Sequence, residues 1–321
     1  MLFMRSRPIT LATMLASTLS VMIVAGMVAG GSGSAQEPGT AYDHYESARS
    51  DKFTGGAIVK GEFEPGQPNV RITLNVPSFL LTLWQDGKEI ATYKVGVGMK
   101  AYPIFIGDRE ALQIIWNPPW IPPYSAWVRE RGVDSGENIP AGDPRNPLGK
   151  IKIPLGDSYL IHQAASASDL GNLVSHGCVR MLRADLYDLT EKIIAARSFP
   201  VTSRQIARAK SNYRPLVAEL DPPLPAEIDY DTLVVEDRVL HIYPDVYERG
   251  TNTVMRLRAE LEASRVNVSH LDDETLRQMI AQVTRRTQFI VATSSIEEGR
   301  ALEDGRAVPL LGGSGRRRRT R

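Results

Sequence analysis

Apolar and polar positions alternate from Val70 to Val76, putting Val70, Ile72, Leu74 and Val76 on one face. That period of two predicts a strand with one buried side. A second apolar and aromatic run, Phe79 to Trp84, leads into Gln85-Asp86-Gly87-Lys88, whose central Asp-Gly predicts a tight hairpin turn. Alternation resumes from Glu89 to Val97, and Leu112 to Trp116 adds another strand. Ile151 to Pro154 and Tyr159 to Ile161 read as two short strands, with His162 at the end of the second. Further strands are predicted over Ala57 to Phe63 and Phe199 to Thr202.

Helical spacing first appears at Ala184 to Ala195, where Leu186, Leu189 and Ile193-Ile194 share a face and Asp185 lies in the first turn. It returns over Val254 to Ala263 and over Asp272 to Arg285, with Asp272 as N-cap candidate. Thr232 to Tyr243 predicts a hairpin about Glu236-Asp237, and Phe289 to Ala292 a last strand. Pro222, Pro223 and Pro225 mark a linker, because proline cannot donate to a sheet ladder. Asn117-Pro118-Pro119-Trp120-Ile121-Pro122-Pro123 excludes a central strand or a helix. In a β-rich setting it reads as an ordered wall lining a groove, with Trp120 as a substrate-contacting side chain. Residues 129–149 form a long loop rich in glycine and proline, the kind that carries function in compact domains. The fold class is therefore mostly β, with a small α+β C-terminal extension. The expected divisions are a catalytic region at 69–204, a linker and accessory hairpin at 205–250, and a small helical region at 251–311.

The ends of the 321-residue chain change the picture. Arg5 and Arg7 precede an uncharged apolar or small-residue run, Ile9 to Gly30, and Gly33-Ser34-Ala35 is a small-residue cleavage site. Residues 1–35 thus read as an export signal, either cleaved or kept as a membrane anchor, and 36–68 as a tether. The expected location is the periplasm or cell wall. The formal charge is +1, which falls to −1 without residues 1–35 and to −6 without the tail arginines Arg316 to Arg319 and Arg321. Residues 312–321 read as a basic disordered tail, solvated or in contact with an anionic polymer or lipid. A mildly acidic body makes nucleic acid a poor partner.

Cys178 is the only cysteine, so no intramolecular disulfide is open to it. It stands in Val174-Ser175-His176-Gly177-Cys178-Val179-Arg180-Met181, 16 residues after His162. A thiol in a glycine-containing turn, with a histidine to deprotonate it, is what a cysteine nucleophile needs. The backbone N–H groups of His176, Gly177 and Cys178 are candidate oxyanion donors. His162 is the favoured base. His176, in the same turn as Cys178, competes as base but is not favoured. His44, His241 and His270 have no catalytic context and no zinc spacing, so no metal or other cofactor is expected.

His162 together with Ser175-His176-Gly177-Cys178-Val179-Arg180-Met181 resembles the signature of the L,D-transpeptidase (YkuD) family. Ile72-Thr73-Leu74-Asn75-Val76-Pro77, Val95-Gly96-Val97-Gly98, the Asn117 to Pro123 loop, and Asn146-Pro147-Leu148-Gly149 are similar to its ErfK/YbiS/YhnG branch, over roughly Asn69 to Ser203. Leu240 to Tyr247 resembles the strand that follows in that branch. The resemblance implies a β-sandwich-like catalytic domain acting on peptidoglycan. It implies a tetrapeptide stem as donor, cleaved after the L-centre of diaminopimelate with loss of D-Ala. The acceptor it implies is another stem, a lysine of an outer-membrane protein, a D-amino acid or water. Cys178 would be nucleophile and His162 base, oriented by the Gln163 carbonyl. Ser175 and Gln163 would line the substrate site. Arg180 would bind a substrate carboxylate or pair with Asp185.

Two departures stand out. Gln163-Ala164 replace the Gly-Thr usual after the catalytic histidine, and Tyr102 to Arg109 lacks the usual Thr-Pro-x-Gly turn. No LysM-like wall-binding segment is evident. Alternative readings are a hydrolase of the same fold and a catalytically weakened wall-binding protein.

Overall fold

A computed structural model describes residues 57–60 and 69–310. The export signal, most of the tether and the basic tail lie outside the described residues. In chain order the strands are β1 (Ala57–Lys60), β2 (Val70–Asn75), β3 (Leu80–Gln85), β4 (Lys88–Lys94), β5 (Val97–Gly98), β6 (Gly107–Trp116), β7 (Ile151–Pro154), β8 (Leu160–Gln163), β9 (Leu173–Ser175), β10 (Val179–Met181), β11 (Leu216–Asp229), β12 (Leu233–Glu236), β13 (Val239–Ile242), β14 (Thr287–Ala292) and β15 (Arg306–Pro309). The helices are α1 (Ala126–Glu130), α2 (Arg183–Ala196), α3 (Ser203–Ser211), α4 (Val254–Ala263), α5 (Asp273–Ala281), α6 (Thr293–Glu297) and α7 (Ala301–Asp304). The chain is mostly β, with a smaller α+β part at its C-terminal end.

A nine-stranded sheet runs in the order β10-β8-β7-β6-β11-β2-β3-β4, with β1 also on β11. The period of two in β2 is met directly: Val70, Ile72 and Leu74 are buried. The β3–β4 turn has Asp86 and Gly87 both left-handed, at φ 51° and 76°, the backbone a two-residue hairpin loop requires. Leu186, Leu189, Ile193 and Ile194 of α2 pack into the same core as β2, β3 and β6.

Several expectations are corrected. Phe199 to Thr202 is not a strand: the chain turns there from α2 into α3, and Phe199 and Val201 are buried without pairing. A capping box starts α3, the Gln205 N–H donating to Thr202 Oγ1 at 3.2 Å and the Thr202 N–H to Gln205 Oε1 at 2.8 Å.

The prolines read as a linker lie inside β11, between β6 and β2. They fit because the ladder to β6 shifts register between Glu219 and Leu224. On the other edge β1 pairs with 216–219 and β2 with 226–229, so residues 220–225 owe no ladder bond there. Arg197 donates to the carbonyls of Pro222 and Pro223, at 2.6 and 3.1 Å.

The accessory hairpin, β12–β13, turns at Asp237-Arg238 and belongs to a second antiparallel sheet, β12-β13-β14-β15. That sheet shares its own core with α4 and α5, centred on Leu240, Leu257, Leu276 and Phe289. The C-terminal extension is α+β, as the fold class had it, and β14 is not its last strand, since β15 follows. Asp272 caps α5, accepting from the Thr275 N–H at 2.7 Å. Helix α5 ends at Ala281, short of the expected Arg285. No described helix is long and apolar enough to cross a membrane.

Candidate active site

Strands β8 and β10 lie side by side and parallel, with Ile161 opposite Val179 and His162 opposite Arg180. Ile161, Val179 and Met181 enter the core, so the pleat sends His162 and Arg180 to the other face. Residues 176–178 form the turn between β9 and β10. The turn is held by β5 and its flanks. The Met99 N–H donates to the Ser175 carbonyl at 2.8 Å, and Gly96 and Arg180 exchange backbone bonds of 2.9 and 2.8 Å. Ser175 is buried and donates its hydroxyl to the Cys178 carbonyl at 2.5 Å. Gly177 has φ +107°, and a Cβ there would stand 2.8 Å from the Tyr159 ring, so only glycine fits. Among the described residues no acceptor takes the backbone N–H of His176, Gly177 or Cys178. Three consecutive free donors therefore flank the thiol.

Cys178 is half-buried. Its Sγ lies 3.9 Å from the Ser158 carbonyl. That carbonyl belongs to a turn in which Asp157 and Ser158 are both left-handed, φ 47° and 64°, with Asp157 ion-paired to Arg109. Two non-glycine residues in that region are a local strain beside the thiol. Burial pushes the thiol pKa up; the Leu160 N–H and the Arg180 charge act against that.

His162 is 3% exposed. Burial, and next the charge of Arg180, hold its pKa well below the ordinary value, while the carbonyls of Pro147 and Gln163 favour the protonated ring. At neutral pH it is an uncharged imidazole able to accept a proton. Its buried Nδ1 makes no hydrogen bond, and none joins the ring to Cys178.

Arg180 acts on both groups, and it has no ion-pair partner among the described residues. Its Nε is buried and unpaired. Burial lowers its pKa, and the Cys178 and Asp169 charges oppose that. The alternative pairing with Asp185 does not form: the Asp185 carboxyl is pushed up by burial and by Asp188, with no arginine opposing. A guanidinium in this state is suited to a carboxylate brought by a ligand.

Residues 117–149 fold into a cap with a small core of its own, Trp120, Val128, Val133, Ile139 and Leu148. Asn146 ties it together, donating to the Pro118, Ile139 and Pro140 carbonyls. Trp120, expected to contact substrate, is 5% exposed and sits in this core. The cap indole that faces the motif is Trp127, stacked on the His176 ring at 4.5 Å and 14°. Tyr102 also approaches His176, at 4.6 Å and 59°. His176 is thus an exposed residue whose ring contacts two aromatics. Gln163 is turned toward the cap rather than the thiol: its Oε1 accepts from the Lys150 N–H at 3.2 Å. Its backbone carbonyl is the part that acts on His162. A groove of about 1120 Å³ runs along the β7-β6-β11-β2 face and is lined at one end by Ser158, Tyr159 and Leu160. Among the described residues no cluster of three or more His, Cys, Asp or Glu could hold a metal ion.

Trp127, Tyr102 and the Asp157-Ser158 turn were not singled out from sequence. Only the last had a visible signal, Gly-Asp-Ser between two short strands.

Residues 69–202 match the profile of the YkuD L,D-transpeptidase catalytic domain. Probable L,D-transpeptidase YcfS of Escherichia coli K12 is 26% identical over 181 residues, covering 52% of this chain and 54% of YcfS. Probable L,D-transpeptidase YbiS of the same strain is 35% identical over 80 residues, covering 24% of this chain and 26% of YbiS. The chain thus spans about half, or less, of the length of these relatives. Among solved structures, L,D-transpeptidase 3 from Mycobacterium tuberculosis with a faropenem-derived adduct is 15% identical, with a TM-score of 0.29 over 48% of this chain and 61% of that one. That overlap is too low to carry an argument.

Proposed function

Residues 69–202 being a YkuD-family L,D-transpeptidase catalytic domain, we propose that the chain is a cysteine-dependent acyltransferase acting on peptidoglycan tetrapeptide stems. The observation that carries the reading is the lone thiol of Cys178 beside three free backbone N–H groups and an unpaired Arg180.

His162 takes the thiol proton as Cys178 Sγ attacks the carbonyl carbon at the L-centre of diaminopimelate. The oxyanion that forms is held by the free N–H groups of residues 176–178, each such donor contributing on the order of 10²–10³ in rate. The bond to D-Ala then breaks, and the imidazolium returns its proton to the departing amine. The acyl group stays on sulfur as a thioester. An acceptor amine next gives its proton to His162 and attacks the thioester, and the sulfur leaves as thiolate. The acceptor is another stem, giving a 3-3 cross-link, or a protein lysine, with an outer-membrane protein as one candidate. Arg180 binds a substrate carboxylate. The charged start and apolar run of residues 1–35 support export to the periplasm or wall, as a cleaved or anchored form.

Mass spectrometry of tetrapeptide muropeptides incubated with the purified protein tests this. Loss of D-Ala with a cross-linked dimer is expected, and Cys178→Ala should abolish both. Unchanged muropeptides, or product from Cys178→Ala, would refute it. Tripeptide alone would make the chain a carboxypeptidase of the same fold.

A further inference from the structure

The loop Gly98–Ile104 presses on the nucleophile turn. A Cβ at Gly98 would run into the Tyr102 carbonyl and stand 3.0 Å from Gly177 Cα. The same loop brings Met99 to Ser175 and Tyr102 to His176. What closes it comes from outside the family-matched segment. Tyr247 donates its hydroxyl to the Gly98 carbonyl at 3.1 Å and accepts from the Ile104 N–H at 3.2 Å, so a single oxygen pins both ends.

Tyr247 is itself fixed from behind. Its N–H donates to the Tyr230 hydroxyl at 2.6 Å, and that hydroxyl donates to Asp245 at 2.6 Å. Asp245 also accepts the N–H groups of Arg249 and Thr251, at 2.9 and 3.1 Å. The Tyr230 and Tyr247 rings stack at 5.5 Å, with the Arg249 guanidinium 4.6 Å from the first and 5.7 Å from the second. Glu248 pairs with Lys100 of the loop. Residues 245–251 are therefore a built strap.

We propose that Tyr247 is a positioning residue for the Cys178 site, its hydroxyl holding the Gly98–Ile104 loop so that the His176-Gly177-Cys178 turn keeps its N–H groups converged. The proposal rests on the acyltransferase reading. Two reactions of the same thiol separate positioning from mere stability. Alkylation by iodoacetamide needs the thiolate alone, whereas acylation by a carbapenem also needs oxyanion donors. In the full chain, well below the melting temperature, Tyr247→Phe is expected to lower the ratio of acylation to alkylation by about tenfold. A change of less than about threefold, or an equal fall in both rates, overturns the proposal. If Tyr247→Phe does not fold, Asp245→Asn is judged on the same ratio. A wild-type thiol that alkylates but never acylates would instead refute the acyltransferase reading. Positioning would then be decided by deuterium uptake over residues 96–104 and 175–181, faster in the variant if Tyr247 holds the loop and unchanged if it does not.

Discussion

Arg180 pushes two neighbours the same way, toward the deprotonated form: its charge favours the Cys178 thiolate and disfavours the His162 imidazolium. Burial outweighs it at the thiol, so the thiolate should form above the ordinary cysteine range. Arg180→Met keeps the packing of the stem and removes the charge. It should move the pH midpoint of Cys178 alkylation further up and the His162 titration back toward its usual value. The alkylation rate at neutral pH should fall about tenfold for every pH unit by which that midpoint rises. A midpoint that stays or falls would mean that Arg180 does not face the thiol. Cys178 and His162 were legible in the sequence because one is unique and the other keeps a fixed place before it. Trp120 drew attention as the aromatic of a proline loop, yet its backbone bridge to Ile139 turns it inward. Trp127, on a helix of one turn, stays half-buried and is the indole that faces His176. No local pattern distinguishes the two.

Strand β11 ends in a knot of acids. Burial, with Glu227, Asp231 and Asp108 around it, pushes Asp229 up to about 6, against the pull of Arg71. A raised carboxylate pKa means that the folded chain binds more protons than the unfolded one between the usual carboxylate range and about 6. Stability from this group is present at lower pH and is lost as pH rises through that window. Asp229→Asn should therefore raise the melting temperature by about 2 °C at pH 8, a figure discounted for its partial exposure, and leave it unchanged near pH 4. An equal effect at both pH values would exclude a charge origin. The element itself was the least legible part of the fold. Asp86-Gly87 and the alternation of Val70 to Val76 announced their strands locally. Pro222, Pro223 and Pro225 announced the opposite, and only the bulge and the divided edge of β11, both tertiary facts, reconcile them with a sheet. The capping box Thr202 to Gln205 was readable, and it marks the start of α3, which the strand reading of Phe199 to Thr202 passed over.

At the scale of the molecule, the family-matched segment is not a closed unit. Strands β2 and β6 never meet; each bonds to β11, which lies beyond residue 202. The strap at 245–251 lies further along still. A chain ending at residue 202 should show no cooperative thermal transition and no carbapenem-reactive thiol, while the full chain shows both. A folded, reactive fragment would mean that β2 and β6 can pair without β11. The same bridging strand fixes an order in time. Synthesis runs from the N-terminus, so the ribosome delivers Cys178 before Leu216. The two halves of the sheet then wait for a partner distant in sequence, a pairing that is slow to form. For that interval Cys178 is an ordinary cysteine on an unfinished chain, and the reactivity proposed for it would arrive as one of the last products of folding.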